Sequence, residues 1–285
     1  MAGSRNLKFV FLFGLILLLF AGKITAQRLA IIDPVRTQQS ERIAQRLTDS
    51  LSTKIQLVDW ALAASAFSSL SIEDPYNLST DESKRIGAAI GCNAFLLIKT
   101  ETLRRTSSER QSYFESYAVL FLVGAKHGHL VWSRMINWQT STAAGAEGGV
   151  LAHLDEATAD IAPDWKQLLD RDDKAEPDPN YPEVPAEGSP EAKNFRGPIP
   201  YLRIKPEYTQ QAFLYGAKGT VEIAVDLDEK GNVVRTEIER WVGFGLDEAV
   251  TDAVRKMNWR PAERAGKPLP MRFLLRYNFK KVDTE

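Results

Sequence analysis

One cysteine in 285 residues leaves Cys92 without an internal partner, which excludes a disulfide framework and any multi-cysteine metal cluster. Cys92 stands in IGAAIGCNAFLLI, among small and apolar neighbours, and reads as a buried structural thiol rather than a nucleophile. Histidine is nearly as scarce, with only His127, His129 and His153. His127 and His129 flank a hairpin glycine and can chelate, but no third ligand is identifiable beside them, so a solvated turn is the expectation. Excess charge is missing too: a formal net charge of -1 gives no electrostatic footprint for nucleic acid. The chain has no phosphate loop, no G-x-S-x-G and no dinucleotide fingerprint. Asp33 and Asp59 close strand-like runs, where ligands often bind in α/β folds, but such aspartates commonly cap the next element. These absences point away from an enzyme, with no catalytic residue, no cofactor and no metal expected.

A long spanning hydrophobic run is also lacking. FVFLFGLILLLFAG, between Lys8 and Lys23, falls short of the about 20 apolar residues that a membrane helix wants. With basic residues before it and Ala26 ahead of Gln27, residues 1–26 read as an export signal, cleaved or retained as an anchor. The rest of the chain is then expected in the periplasm. No cysteine follows the run, so no lipid attachment is expected there.

RDDKAEPDPNYPEVPAEGSPEAKNFRGPIP, residues 171–199 and Pro200, is acidic, proline-rich and almost without apolar residues. It is expected to be a disordered linker between two domains. Residues 28–170 before it read as an α/β domain. LAIIDPV, IQLVDW, NAFLLIKTETLRR, QSYFESYAVLFLVGAK and LVWSRMINWQT are its strands. Helices are expected after Ser40 as cap, over Ala61–Leu70, from Thr80 or Asp81 to Gly91, and from about Gly148 to Leu169. Arg104, Arg105 and Arg110 read as a solvated hairpin tip. Asn77-Leu-Ser79 fits a glycosylation sequon without meaning for a bacterial envelope protein. This segment resembles the α/β domain of the CsgG type and of the amino-terminal part of TolB, on VDW, DESKRIGAAIGCNAFLLIKTET and HGHLVWSR. That resemblance implies an envelope fold and no chemistry.

Residues 200–281 read as helix, strand, strand, helix, strand, a small α+β domain. IKPEYTQQAFLYGAKG holds a helix from its proline to Gly216. GTVEIAVDLDEKGN and VVRTEIER are paired strands, and GFGLDEAVTDAVRKM is amphipathic. NWRPAERAGKP delivers Trp259 as an apolar plug, stops the helix at Pro261, and turns at Gly266 and Pro268 into the last strand, MRFLLRYNF. The order and the residues Gly219, Gly231, Gly245, Leu246, Asp247, Trp259, Pro261, Gly266 and Pro268 resemble the TonB C-terminal domain. The family often has Tyr-Pro where this chain has Tyr208-Thr209.

The resemblance implies a domain that binds an extended segment of an outer-membrane transporter as an added strand, linked to TonB-dependent transmembrane transport. Leu274, Arg276 and Asn278, with Tyr208, are then the expected partner-binding residues, unless the edge is covered or pairs with a second copy in a homodimer. An ExbB/ExbD-like complex is the partner that an energy transducer would need. The apolar run carries no polar residue for such coupling. A soluble periplasmic adaptor without energy transduction is the alternative, and a ligand-binding α/β protein the third class.

Overall fold

The computed structural model of the chain describes residues 27–108, 112–173 and 181–280, so the signal-like run 1–26 and Arg110 lie outside the described residues. The first half is built on β1 (Arg28–Ile32), α1 (Gln38–Leu51), β2 (Gln56–Leu57), α2 (Trp60–Ser68), α3 (Thr80–Ile90), β3 (Ala94–Arg105), β4 (Tyr113–Gly124), β5 (Leu130–Thr140), α4 (Ala143–Ala152), α5 (Leu154–Ala157) and α6 (Trp165–Asp173). One sheet takes the order β2-β1-β3-β4-β5. β1 runs parallel to β2 and β3, while β3, β4 and β5 form an antiparallel meander.

Local chemistry explains where the helices start and stop. The cap of α1 is Thr37, with Ser40 completing a capping box three residues on, and not Ser40 itself as the spacing predicts. Ser79, with Glu82 as its reciprocal partner, caps α3 in place of Thr80 or Asp81. Gly91 ends α3 in the left-handed conformation at φ 70°, as expected. Asp59 caps α2 and Asp33 accepts from the Arg36 backbone N–H and the Ser40 hydroxyl, so both strand-end aspartates serve the next turn. The long helix expected over 148–169 is instead α4, α5 and α6. Pro163 cannot continue a helix entering from before it, and α6 restarts at Trp165.

After a single 3-10 turn at Pro190–Ala192 come β6 (Phe195–Arg196), β7 (Ile199–Pro200), α7 (Gln210–Leu214), β8 (Gly219–Leu227), β9 (Val233–Arg240), α8 (Leu246–Lys256), β10 (Trp259–Arg260), β11 (Ala262–Arg264), β12 (Lys267–Leu269) and β13 (Met271–Phe279). The second sheet is antiparallel in the order β13-β8-β9, with α8 packed on β8 and β9. The helix expected from Pro206 is only the short α7, capped by Thr209. Trp259 is buried at 4% exposure and meets Phe273 edge to face. Gly231 holds φ at 86° in the β8–β9 turn, where a Cβ would sit 2.0 Å from the Trp259 carbonyl oxygen.

Two expectations about the acidic stretch are corrected. Arg171 to Asp173 end α6, and Asp172 is buried at 2% exposure. Within 181–200 the chain is paired with strands of the C-terminal half rather than free. β6 pairs with β11, β7 pairs with β10, and the Pro182 carbonyl accepts from the Arg272 backbone N–H at 2.8 Å. Prolines and acids here spare interior volume while backbone groups still find ladder partners. Residues 174–180 lie outside the described residues.

The two halves share a core. Alternation on β3 sends Leu96 and Ile98 toward Ile43, Leu47 and Leu51 of α1. It sends Phe95 and Leu97 the other way, into one apolar cluster with Tyr117, Phe121, Val221, Ile223, Trp241, Phe244 and Val250. Phe121 of β4 meets Trp241 at a ring separation of 5.0 Å and Phe244 at 6.1 Å. Each face of the first sheet is therefore covered, one by α1 and the helices after β5, the other by α2, α3 and the C-terminal half.

Candidate functional site

β13 is an edge strand. It pairs with β8 on one side in register from Met271 with Leu227 to Phe279 with Gly219. On the other side the Arg272 N–H reaches Pro182, so the backbone of Arg272 faces away from β8. The period of two gives Leu274, Arg276 and Asn278 the same outward direction. Thr220, opposite Asn278, confirms this parity at the far end, because its N–H and carbonyl both turn away from β13 to the Asn77 side chain. Beyond Arg272 no backbone partner occupies that edge among the described residues. Side chains follow the same alternation, with Leu274, Arg276 and Asn278 exposed and Phe273, Leu275, Tyr277 and Phe279 half-buried. Tyr208 stacks on Phe279 at 6.1 Å and donates to the Ala217 carbonyl at 2.6 Å, so it props the end of the edge. Leu274, Arg276 and Asn278 thus lie along one edge strand, with Tyr208 packed against its last residue.

Alongside that edge runs a groove of about 380 Å³. Its apolar lining comes from Pro198, Pro200, Ile204, Trp259, Phe273 and Tyr277, and its rim from Arg203, Lys205 and Arg276. Ile199, Tyr201 and Leu202 are exposed next to it, the last two by more than 70%. Arg276 is paired with Glu222, whereas Arg203 and Lys205 have no acidic partner among the described residues. The groove escapes sequence reading because its walls lie on segments 198–206 and 257–277, far apart in the chain. GPIPYLRIKP carries the one available signal, apolar residues with two cations just after the acidic stretch.

The seam between the halves is held by polar groups that the sequence reading treated as solvated or meaningless. His129 is not in a solvated turn: its Nδ1 lies 3.0 Å from Asp172 and its Nε2 2.9 Å from Glu237. Burial opposes the imidazolium, but hydrogen bonds and charge from Asp172 and Glu237 outweigh it and raise His129 to about 9. Burial also works against the Asp172 carboxylate, yet His129 and the backbone N–H groups of His127 and His129 hold it below its ordinary range. Glu237 in turn accepts from Arg272, which is paired with the fully buried Asp226. Arg105 leaves the expected solvated tip to pair with Glu115 at 2.9 Å and donate to the Leu214 carbonyl. Asn77 is 9% exposed and donates to the carbonyls of Thr220 and Trp241. Cys92 is half-buried, and burial pushes its thiol up to about 12, which leaves no thiolate for chemistry.

The remaining motif residues are structural. Asp247 accepts the backbone N–H groups of Val242 and Gly243 and so fixes the turn into α8. Leu246 is fully buried, and Gly266 turns β11 into β12 with Pro268 opposite Glu263. Among the described residues, no helix is long and apolar enough to cross a membrane.

Residues 204–280 match the family model described as Gram-negative bacterial TonB protein C-terminal, which is the family that the C-terminal motifs resemble. Among solved structures, the Pseudomonas aeruginosa TonB C-terminal domain is 17% identical, over 35% of this chain and 94% of that one, with a TM-score of 0.27. The lipoprotein GNA1162 from Neisseria meningitidis is 14% identical, over 47% of this chain and 99% of that one, with a TM-score of 0.34. A PelC dodecamer from Paraburkholderia phytofirmans is 9% identical, over 47% and 87%, with a TM-score of 0.28. No curated protein matches the chain.

Proposed function

We propose that the chain uses its TonB C-terminal-type domain, residues 204–280, as a non-catalytic docking module that receives an extended segment of an envelope protein as a fourth strand beside β13. The outward backbone of Leu274, Arg276 and Asn278, without a partner among the described residues, carries this reading. An unpaired edge supplies affinity through ladder hydrogen bonds, and alternate side chains select the sequence. Leu274 and Asn278 flank the incoming strand on the outer face, and Tyr208 holds the end of β13 in place. By family, the partner is an outer-membrane transporter and the setting is the periplasm, with an ExbB/ExbD-like complex or a second copy as the other candidates.

Within this reading the adaptor form is favoured over a tethered transducer. The C-terminal sheet shares its core with the first half, and the stretch 181–200 pairs with β10 and β11 of the same half. A docking module held this way fixes its partner relative to the N-terminal sheet instead of reaching across a gap.

Photo-crosslinking in cells tests the proposal. A photoreactive residue at Leu274 or Asn278 is expected to give a discrete envelope-protein adduct, while one at Val234, exposed on the opposite strand of the same sheet, gives none. Adducts at Val234 and none at the β13 edge would overturn it.

A further inference from the structure

We infer that the cleft between the two halves binds a dipeptide-sized zwitterion, its carboxylate held by Arg255 and Arg171 and its ammonium by Glu248 and Asp252. The inference stands apart from the docking reading, since none of the residues that line this cleft belongs to β13.

The cleft encloses about 520 Å³, a volume that suits a small ligand. His129, Leu130 and Arg171 of the first half form one wall, and β9 and α8 form the other. Glu248, Thr251, Asp252 and Arg255 recur at i, i+3, i+4 and i+7, so one face of α8 looks into the cleft. Trp241, Leu130 and Ile238 supply its apolar lining. Trp241 is 1% exposed, and its indole N–H finds no acceptor among the described residues. A buried donor without a partner beside a polar cleft favours a ligand that brings an acceptor.

Most polar groups along this seam are already matched. Glu237 holds His129 and Arg235, and Asp247 takes the backbone N–H groups of Val242 and Gly243. Four charges are not: Arg171, Arg255, Glu248 and Asp252 make no ion pair among the described residues. Arg171 donates one N–H to the Val131 carbonyl, and Arg255 donates its Nε–H to the Thr236 hydroxyl. Each guanidinium keeps further donors in a fork that suits a carboxylate. Two unanswered cations and two unanswered acids match a ligand that carries one charge of each sign. A plain anion would face Glu248 and Asp252, and a plain cation would face the guanidiniums. Spacing favours a peptide over a single amino acid. Along α8, Asp252 and Glu248 precede Arg255 by about 5 and about 10 Å of helix rise. Two extended residues reach about 7 Å between their termini.

Titration of the full chain with L-alanyl-L-leucine and with glycylglycine, followed by calorimetry and tryptophan fluorescence, tests this. The N-acetyl and C-terminal amide forms of each peptide remove one charge apiece. Expected is saturable binding of the free dipeptide, with each capped form about tenfold weaker. Arg255→Gln is expected to weaken the dipeptide and erase its advantage over the amide. Glu248→Gln/Asp252→Asn is expected to erase its advantage over the N-acetyl form. These three positions are exposed, so the fold is retained, checked by circular dichroism. Leu274→Ala, on the β13 edge, is expected to leave binding unchanged, which separates this cleft from the docking edge. No saturable binding of either dipeptide, equal binding of free and capped forms, or binding that needs Leu274 and not Arg255 would overturn the inference. Inorganic phosphate that binds as tightly as the dipeptides and is lost on Arg255→Gln would also overturn it, in favour of a plain anion site.

Discussion

Asn77 is the residue where the two halves are spliced. Its side chain takes the place of a strand at the end of β8: Oδ1 accepts the Thr220 N–H, and Nδ2 donates to the Thr220 and Trp241 carbonyls. Asn77→Ala would strand these buried groups and is expected to cost about 1–3 kcal/mol in urea unfolding, while Asn77→Asp would not restore the two donated bonds. His129 sets a pH dependence of the same seam. Its folded pKa of about 9 lies above the ordinary 6.5, so the charge contributes fully below pH 6.5 and is lost as pH rises through about 9. The groups facing it are Asp172 from α6, Glu237 and Arg235 from β9, Arg272 from β13, and His127 from its own turn. Stability is expected to fall by about 2–3 kcal/mol between pH 6.5 and 9.5, and His129→Gln is expected to flatten that slope. A wild-type slope unchanged by the substitution would show that another group titrates there. Neither residue was legible, because Asp172 lies 43 positions and Glu237 108 positions from His129.

At the scale of elements, the alternating strands were the legible part. β8 and β13 stand where period-two runs place them, while β3 and β4 stand where long apolar runs place them, buried on both faces over 94–98 and 115–124. Helix starts moved by a few residues, because Thr37 and Ser79 offer reciprocal capping that Ser40 and Thr80 only complete or follow. The β8–β9 turn shows what the motif glycine is for. Gly231 adopts φ 86° with the Trp259 carbonyl oxygen closing the space a Cβ would need. Gly231→Ala therefore combines backbone strain with a clash against the main chain and is expected to cost about 2–4 kcal/mol, read as a lower denaturation midpoint. An alanine variant as stable as the parent would mean that the turn has room to shift away from Trp259. The stop expected at Pro261 comes earlier: α8 ends at Lys256, Met257 is already extended, and β10 intervenes before the proline. The pairing of β6 and β7 with the strands around that proline was not legible, since two-residue strands leave no periodic signal.

For the whole molecule, composition reads as two domains and a tether, yet the packing argues for one cooperative unit. A tether is inferred when a segment has too little apolar surface to bury, and residues 181–200 satisfy that condition while still pairing their backbone. The decisive surface lies elsewhere: one face of β3 and β4 buries Phe95, Tyr117 and Phe121 in a cluster that holds Ala63 and Ile86 of α2 and α3 and also Val221, Trp241 and Phe244 of the C-terminal half. Separating the halves would expose these side chains, at roughly 25 cal/mol for each Å² of apolar area. It would also leave Glu115 and Glu237 without the partners that cross the seam. Unfolding of the full chain is therefore expected as one transition, with tryptophan fluorescence and far-ultraviolet circular dichroism coinciding along a urea titration. The two signals are well placed for this: Trp132 and Trp138 lie on β5, and Trp241 and Trp259 lie in the C-terminal half. Two separated transitions, with the C-terminal sheet melting first, would restore the tethered arrangement and with it a docking domain free to swing toward its partner. Coincident curves would mean that whatever binds β13 is held at a fixed place relative to the N-terminal sheet, and that strand addition at one end is felt through Arg272, Glu237 and His129 at the other.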